Sequence, residues 1–260
     1  MKAVVLISCM HQDDTKIIYE SNLHDDVVMV NQCDVAKEQI YNYPNGVVRI
    51  DTPTRGLSVS RNIAIDHADE DICIIADDDE VFVDKCQEWI VQQYKSIPDA
   101  DFIIFKMTNQ PCKINNKIHK LGYFELFRVS SWQITFRRRS VLENGIRFDP
   151  KLGSGTGNGG GEEIKYLIDA YKKGMKIYYV PMEIASVAQQ ESKWFFGFND
   201  KFFYDRGCTT RYTFGFWISV FYAVYYVLSH RDMYRNDITM WKALKYTFKG
   251  IRDNKIARQK

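Results

Sequence analysis

The sequence predicts an α/β fold: a mostly parallel central sheet with helices on both faces, followed by a helical C-terminal extension. Two observations carry this. Short β-branched runs alternate with segments able to form helices, the pattern of a parallel sheet with helical crossovers. Past residue 192 the strand-like runs stop, and aromatic and basic residues recur at helical spacing.

The elements follow in order. Residues 3–8 (Ala-Val-Val-Leu-Ile-Ser), 27–31 (Val-Val-Met-Val-Asn), 46–50 (Gly-Val-Val-Arg-Ile) and 71–76 read as strands. Between the last two lies Arg55-Gly56-Leu57-Ser58-Val59-Ser60-Arg61-Asn62-Ile63-Ala64, where Gly56 ends a loop and Leu57, Ile63 and Ala64 can face the sheet. A β-rich part offers strands at 101–107, 117–128 and 132–138. The run Arg137-Arg138-Arg139, read as strand, sends its middle member to the opposite face, so all three cannot serve one site. A glycine-dense stretch from Gly153 to Gly161 precedes a helix over 162–173 and a strand over 176–180 closed by Pro181. Glycine there permits close approach of a ligand, and an ordinary surface loop reads the same. The expected division is a domain over 1–192, with halves 1–100 and 101–192, and an extension over 193–260.

With 260 residues, 45% hydrophobic and 14% aromatic, the chain can bury one sizeable core. Its six cysteines form no C-x-x-C pair, so neither a zinc site nor a disulfide framework is indicated. The apolar N-terminal run is too short for a signal peptide, which predicts a cytoplasmic protein. Net charge is +2, but residues 229–260 hold nine Lys/Arg against three Asp/Glu, leaving a net −4 on the rest. A basic tail on an acidic body argues against a nucleic-acid-binding body and for a tail attracted to an anionic surface, and a solvated basic terminus reads the same.

The chemistry concentrates at Ile74-Ile75-Ala76-Asp77-Asp78-Asp79-Glu80, an apolar run ending in three aspartates. If residues 71–76 form a strand, these carboxylates sit at its carboxyl end, where open α/β sheets place ligands. Carboxylates at contact distance raise one another's pKa unless they share a cation, and Mg²⁺ or Mn²⁺ completes its shell with phosphate oxygens. An acidic, solvated turn would look the same in isolation.

Taken in order, the strand, Arg-Gly-Leu-Ser-x-Ser-Arg-Asn, strand, Asp-Asp-Asp, β-rich half, Gly-Gly-Glu-Glu and strand-Pro resemble an inverting family 2 glycosyltransferase of the GT-A (nucleotide-diphospho-sugar transferase) fold, as found in bacterial surface-polysaccharide synthesis. The resemblance covers roughly residues 3–192 and implies a catalytic domain whose first half binds nucleotide and whose second binds acceptor. It implies Asp79 as ligand to Mn²⁺ or Mg²⁺, Asp78 as contact to metal or ribose, and Asp77 in support. It further implies donor contacts from Ser8, Cys9, Asn31 and Asp34 at the first two strand ends, and from Ser60, Arg61 and Asn62 toward ribose and diphosphate. Glu163, or its neighbour Glu162, takes the place of the general base, with Glu where the family motif has Asp. A histidine that many relatives use as a third metal ligand is missing from Val187-Ala188-Gln189-Gln190-Glu191-Ser192, leaving Gln189 or Glu191 as oxygen substitutes. Arg61 as a surface ion-pair residue, and Glu162-Glu163 as an acidic helix start, are the bland readings of the same residues.

The resemblance thus implies a nucleotide-sugar donor, UDP-linked in most relatives, and a glycan or lipid-linked sugar acceptor. A homo-oligomer is compatible with it. The tail adds a location. Thr213 to Leu228 is apolar around its whole circumference but shorter than the ~20 residues that span a bilayer, so it reads as a buried or interfacial helix. Trp241, Leu244, Phe248 and Ile251 form a stripe flanked by Lys242, Lys245, Lys249 and Arg252, as in helices that lie on anionic membranes or pack on a protein neighbour. A peripheral position at the inner membrane face follows. Two rival functions share features with this reading: a sugar nucleotidyltransferase, disfavoured because Cys9-Met10-His11-Gln12 replaces a glycine-rich basic loop, and a catalytically degenerate nucleotide-sugar-binding scaffold that docks to membranes.

Overall fold

The computed structural model describes residues 1–111, 114–158, 160–187 and 197–259. Its chain runs β1 (Ala3–Met10), α1 (Lys16–Glu20), β2 (Val27–Gln32), β3 (Gln39–Asn42), β4 (Val47–Thr52), α2 (Leu57–His67), β5 (Ile72–Asp77), β6 (Glu80–Phe82), α3 (Cys86–Ser96), β7 (Phe102–Met107), β8 (His119–Lys120), β9 (Ile134–Arg137), α4 (Arg138–Glu143), α5 (Glu162–Lys172) and β10 (Ile177–Val187). It ends in α6 (Asp200–Phe214), α7 (Phe216–Ser229), α8 (Arg231–Tyr234), α9 (Met240–Asp253) and α10 (Lys255–Arg258). Contacts group these into two compact units, one of residues 1–148 and 163–190, the other of 149–162 and 191–260.

The first unit is the sheet, ordered β3-β4-β2-β1-β5-β9-β7-β10-β6, with β8 paired to β10. β4, β2, β1 and β5 run parallel, as do β7 and β10, while β9 is antiparallel to both its neighbours. Strand parity explains the two covered faces. Val5, Ile7 and Cys9 of β1 share a core with Ile17 and Ile18 of α1 and Ile90 and Tyr94 of α3. The residues between them point the other way, toward α2, where Ser60 donates to Ser8 at 2.9 Å. Each fully buried isoleucine of β5 contributes about 1.5–3 kcal/mol by leaving water.

Several expected elements are corrected. The strand expected over 117–128 is only His119–Lys120, followed by a 3-10 turn at Leu126–Arg128. Aromatic residues there stack on one another: Tyr123 meets Phe124, Phe127 and Tyr171 edge-on. β10 is not closed by Pro181 but runs on to Val187, its register with β7 slipping after Tyr179, which accommodates a residue lacking an N–H. Arg138 and Arg139 begin a helix, not a strand continuation, and the three arginines bond to the Ala100 carbonyl, the Ile65 carbonyl and Glu143 in turn. The glycine-dense stretch, expected in the acceptor half, clusters with the C-terminal helices.

In the second unit the predicted helix over 213–228 is broken near its start. Gly215 has φ +80°, a value open to glycine, and separates α6 from α7. α6 and α9 cross so closely that a Cβ on Gly207 would lie 2.1 Å from the Thr247 carbonyl oxygen, and one on Gly250 2.0 Å from that of Tyr204. Among the described residues no helix is long and apolar enough to cross a membrane.

Candidate active site

Parallel register brings the predicted donor residues into one row at the carboxyl ends of four adjacent strands. Asp51 of β4 pairs with Asn31 of β2, Asn31 with Cys9 of β1, and Ser8 of β1 with Asp77 of β5. Parity then divides them. Cys9, Asn31 and Asp51 face the side of α1 and α3, while Ser8 and Asp77 face α2.

On the first side Asn31 is fully buried and fully used. Its Oδ1 accepts from the Gln12 amide at 2.9 Å, and its Nδ2 donates to the Gln12 carbonyl and to Asp51 Oδ1, both at 2.9 Å. Arg49 reinforces the arrangement, its Nε donating to Asp51 Oδ1 at 2.8 Å and its guanidinium to the Gln12 carbonyl at 2.7 Å. Asn31 therefore holds the loop after β1 in place. Burial pushes the Cys9 thiol well up, so it stays protonated. Asp34 lies apart from this network, pairing with Arg55 at the surface.

On the second side Asp77 is clamped at both oxygens. Arg61, at 0% exposure, donates to Oδ1 at 2.7 Å, and Ser131 Oγ donates to Oδ2 at 3.0 Å. The Arg61 guanidinium also lies 5.3 Å from the centre of the Phe148 ring, which stacks on Tyr166 at 4.0 Å. The bland expectation of a surface ion pair is thus overturned. Arg61 is a buried cation paired with Asp77. Asn62 faces the Phe148 backbone, donating to its carbonyl at 2.8 Å and accepting from its amide at 3.0 Å.

Asp78 and Asp79 follow Asp77 in the turn, Asp78 exposed and Asp79 half-buried. Beneath them Glu80 is buried and accepts the Asp77 amide at 2.8 Å. Burial, reinforced by the charge of Asp77, pushes its carboxyl well above the usual range. Among the described residues no group of three or more His, Cys, Asp or Glu side chains is placed to hold a metal ion. Two turn carboxylates nonetheless suit a cation that draws its other ligands from a diphosphate and water. Gln189 and Glu191 lie outside the described residues. Glu162 and Glu163 open α5, Glu162 buried and Glu163 half-buried.

The sequence reading missed Arg49, Asp51 and Ser131. Arg49 and Asp51 had a signal, a charged pair two residues apart in an otherwise apolar strand. Ser131 had none, because its role depends on β9 lying beside β5.

The comparisons with known proteins agree with this fold. The model of the family described as glycosyl transferase family 2 matches residues 8–150, more than half of the chain. The chain belongs to that family and is a glycosyltransferase of GT-A fold. Solved structures of S. aureus TarS share the architecture. TarS 1–349 in complex with UDP-GlcNAc aligns with a TM-score of 0.64 at 14% identity, covering 96% of this chain and 82% of that one. TarS 1–349 in complex with UDP aligns at 0.60 and 12% identity, covering 99% and 83%. No curated protein matched the sequence.

Proposed function

We propose that the protein is an inverting, metal-dependent transferase that moves a sugar from a UDP-sugar to a growing surface glycan or lipid-linked acceptor, working peripherally at the inner membrane face. The observation that carries it is the turn Asp77–Asp79 at the carboxyl end of β5, where Asp77 is clamped by Arg61 and Ser131 and two further carboxylates, Asp78 and Asp79, follow it. The UDP and UDP-GlcNAc held by the structurally similar TarS support the choice of donor. Residues 1–192 form the catalytic domain in this reading, and 193–260 the extension.

Asp79 and Asp78 would hold Mn²⁺ or Mg²⁺, which when bound would supply positive charge against the departing diphosphate. The protein supplies the rest. The loop fixed by Asn31 and Arg49 borders the base, and Ser8 and Ser60 lie nearest the ribose side. Glu163 accepts the proton of the acceptor hydroxyl as its oxygen bonds to the anomeric carbon from the face opposite the diphosphate. The carbon–oxygen bond to the diphosphate breaks, and the nucleoside diphosphate leaves with that electron pair. A catalytically degenerate scaffold would bind donor without turnover, and a nucleotidyltransferase would release pyrophosphate.

Calorimetric titration of UDP with and without Mn²⁺, combined with a donor-turnover assay, tests the assignment. Asp79→Asn is expected to abolish the metal-dependent part of UDP binding. Glu163→Gln is expected to keep UDP affinity and lose about 10²- to 10⁴-fold in turnover. Unchanged metal-dependent affinity in Asp79→Asn, or full turnover in Glu163→Gln, removes the corresponding role.

A further inference from the structure

Helix α7 leaves an apolar face uncovered. Phe216, Trp217, Phe221, Val224, Tyr225 and Leu228 are all exposed, Trp217 and Phe221 at 73%. Residues 217, 221, 224 and 228 recur at helical spacing and form one stripe. On the opposite side Ala223 is buried, and Tyr226 and Val227 share a core with Phe203, Tyr234 and Ala243 of α6, α8 and α9. Single exposed hydrophobics need no explanation, but six on one 14-residue helix form a patch that water does not favour.

The charge around this patch is predominantly positive, with Asp232 paired to Arg235 and Asp253 to Arg252. No Lys, Arg, Asp or Glu occurs from Gly215 to His230. α9, which packs on α7, exposes Trp241 at 75% and Phe248, interleaved with exposed Lys242, Lys245, Lys249 and Arg252. No acidic residue occurs from Met240 to Arg252. Arg231 and Arg235 line one cleft with Trp241. The stripe expected from the sequence is redistributed here: Ile251 is buried and Leu244 packs against the core, so Trp241 and Phe248 share the outer face with the lysines.

We propose that the outer faces of α7 and α9 form the docking surface for an anionic lipid bilayer. The α7 stripe enters the interfacial region, and the α9 lysines meet the lipid phosphates. At about 21 Å, α7 is too short to span and lies in the plane. Exposed Trp and Tyr suit this boundary, with an apolar body and a polar tip. A second copy of the chain fits less well, because a symmetric contact over the α7 stripe would set the two basic α9 faces beside each other. This rests on the membrane-side location in the reading above and on no part of its catalytic chemistry.

The test is co-sedimentation of the full chain with phosphatidylcholine vesicles, with and without phosphatidylglycerol, at low and high salt. UDP titration of the same samples monitors the donor site. The wild type is expected to bind the phosphatidylglycerol vesicles and keep a salt-resistant fraction. Trp217→Ser combined with Phe221→Ser should lower partitioning about tenfold or more at both salt levels. Lys242→Gln with Lys245→Gln and Lys249→Gln should lower it about a hundredfold at low salt and little at high salt. Absence of vesicle binding, or unchanged binding in the aromatic double variant, overturns the proposal. A wild-type dimer by light scattering that the aromatic variant converts to monomer, with no lipid binding, assigns the face to self-association and overturns it equally. Vesicle binding without UDP binding leaves the docking surface standing and refutes the donor site alone.

Discussion

The turn after β5 and the outer face of α7 handle their costly groups in opposite ways. At the turn, charge is buried and paired: Arg61 is wholly enclosed, and both oxygens of Asp77 are bonded within the protein. On α7, large apolar side chains are exposed, Trp217 and Phe221 at 73%. Burying charge is repaid only by near-ideal partners, and exposing hydrocarbon only by a surface that covers it. The first pattern keeps charge inside the fold with its partners. The second leaves hydrocarbon in contact with water.

The contrast can be broken most forcefully at Arg61. Arg61→Ala leaves the Asp77 carboxylate without its buried partner and opens a space beside Phe148. Loss of one member of a buried pair costs about 3–5 kcal/mol. Ser131→Ala removes only the second hydrogen bond, from a neutral donor to the carboxylate, and should cost less, about 1.5–3 kcal/mol. Urea denaturation of both variants checks the order. Equal small losses would mean that Asp77 is held by solvent and that the turn is not preorganised.

Glu80 sharpens the comparison because the turn is not satisfied throughout: its Oε2 is buried with no hydrogen-bond partner. Its folded-state pKa is raised, chiefly by burial and then by Asp77. Its contribution to stability is therefore complete below the ordinary carboxylate value of about 4.3 and is lost as pH rises toward the elevated folded value, with a slope of up to about 1.4 kcal/mol per pH unit. Glu80→Gln retains an oxygen for the Asp77 amide and removes the titration. Stability curves of wild type and variant should meet at acid pH and separate in favour of the variant toward neutrality. Parallel curves would show that Glu80 titrates alike in both states.

How much of this was legible in the sequence follows from what each feature depends on. The parallel strands could be read because Val-Val-Met-Val and Ile-Cys-Ile-Ile are continuous apolar runs, and the three aspartates marked their own strand end. The partners of those aspartates were hidden, since Ser131 and Asp77 are 54 residues apart and meet only through strand order. Arg61 was found but its burial was not, because an arginine in an amphipathic helix has the same local pattern whether it faces solvent or a carboxylate. For α9, a period of 3.6 located the stripe but not the smaller face of Ala243, Thr247 and Gly250 that α6 selects for close approach.

The smallest expected effect tests the other half of the comparison. Ile74 and Trp217 are both large and apolar, yet Ile74 is wholly buried in β5 and Trp217 is 73% exposed on α7. Ile74→Ala should cost about 2–5 kcal/mol, the transfer free energy of the lost side chain plus that of the cavity it leaves. Trp217→Ala removes more atoms but few packed contacts, and a surface site of this kind shifts stability by less than about 0.5 kcal/mol. Denaturant midpoints measured without lipid give both numbers. A cost for Trp217→Ala near that of Ile74→Ala, falling as protein concentration is lowered, would mean that a second chain already covers α7 in solution. The exposed face would then belong to an assembly of this protein, and the contrast with the turn would be one between two buried sites.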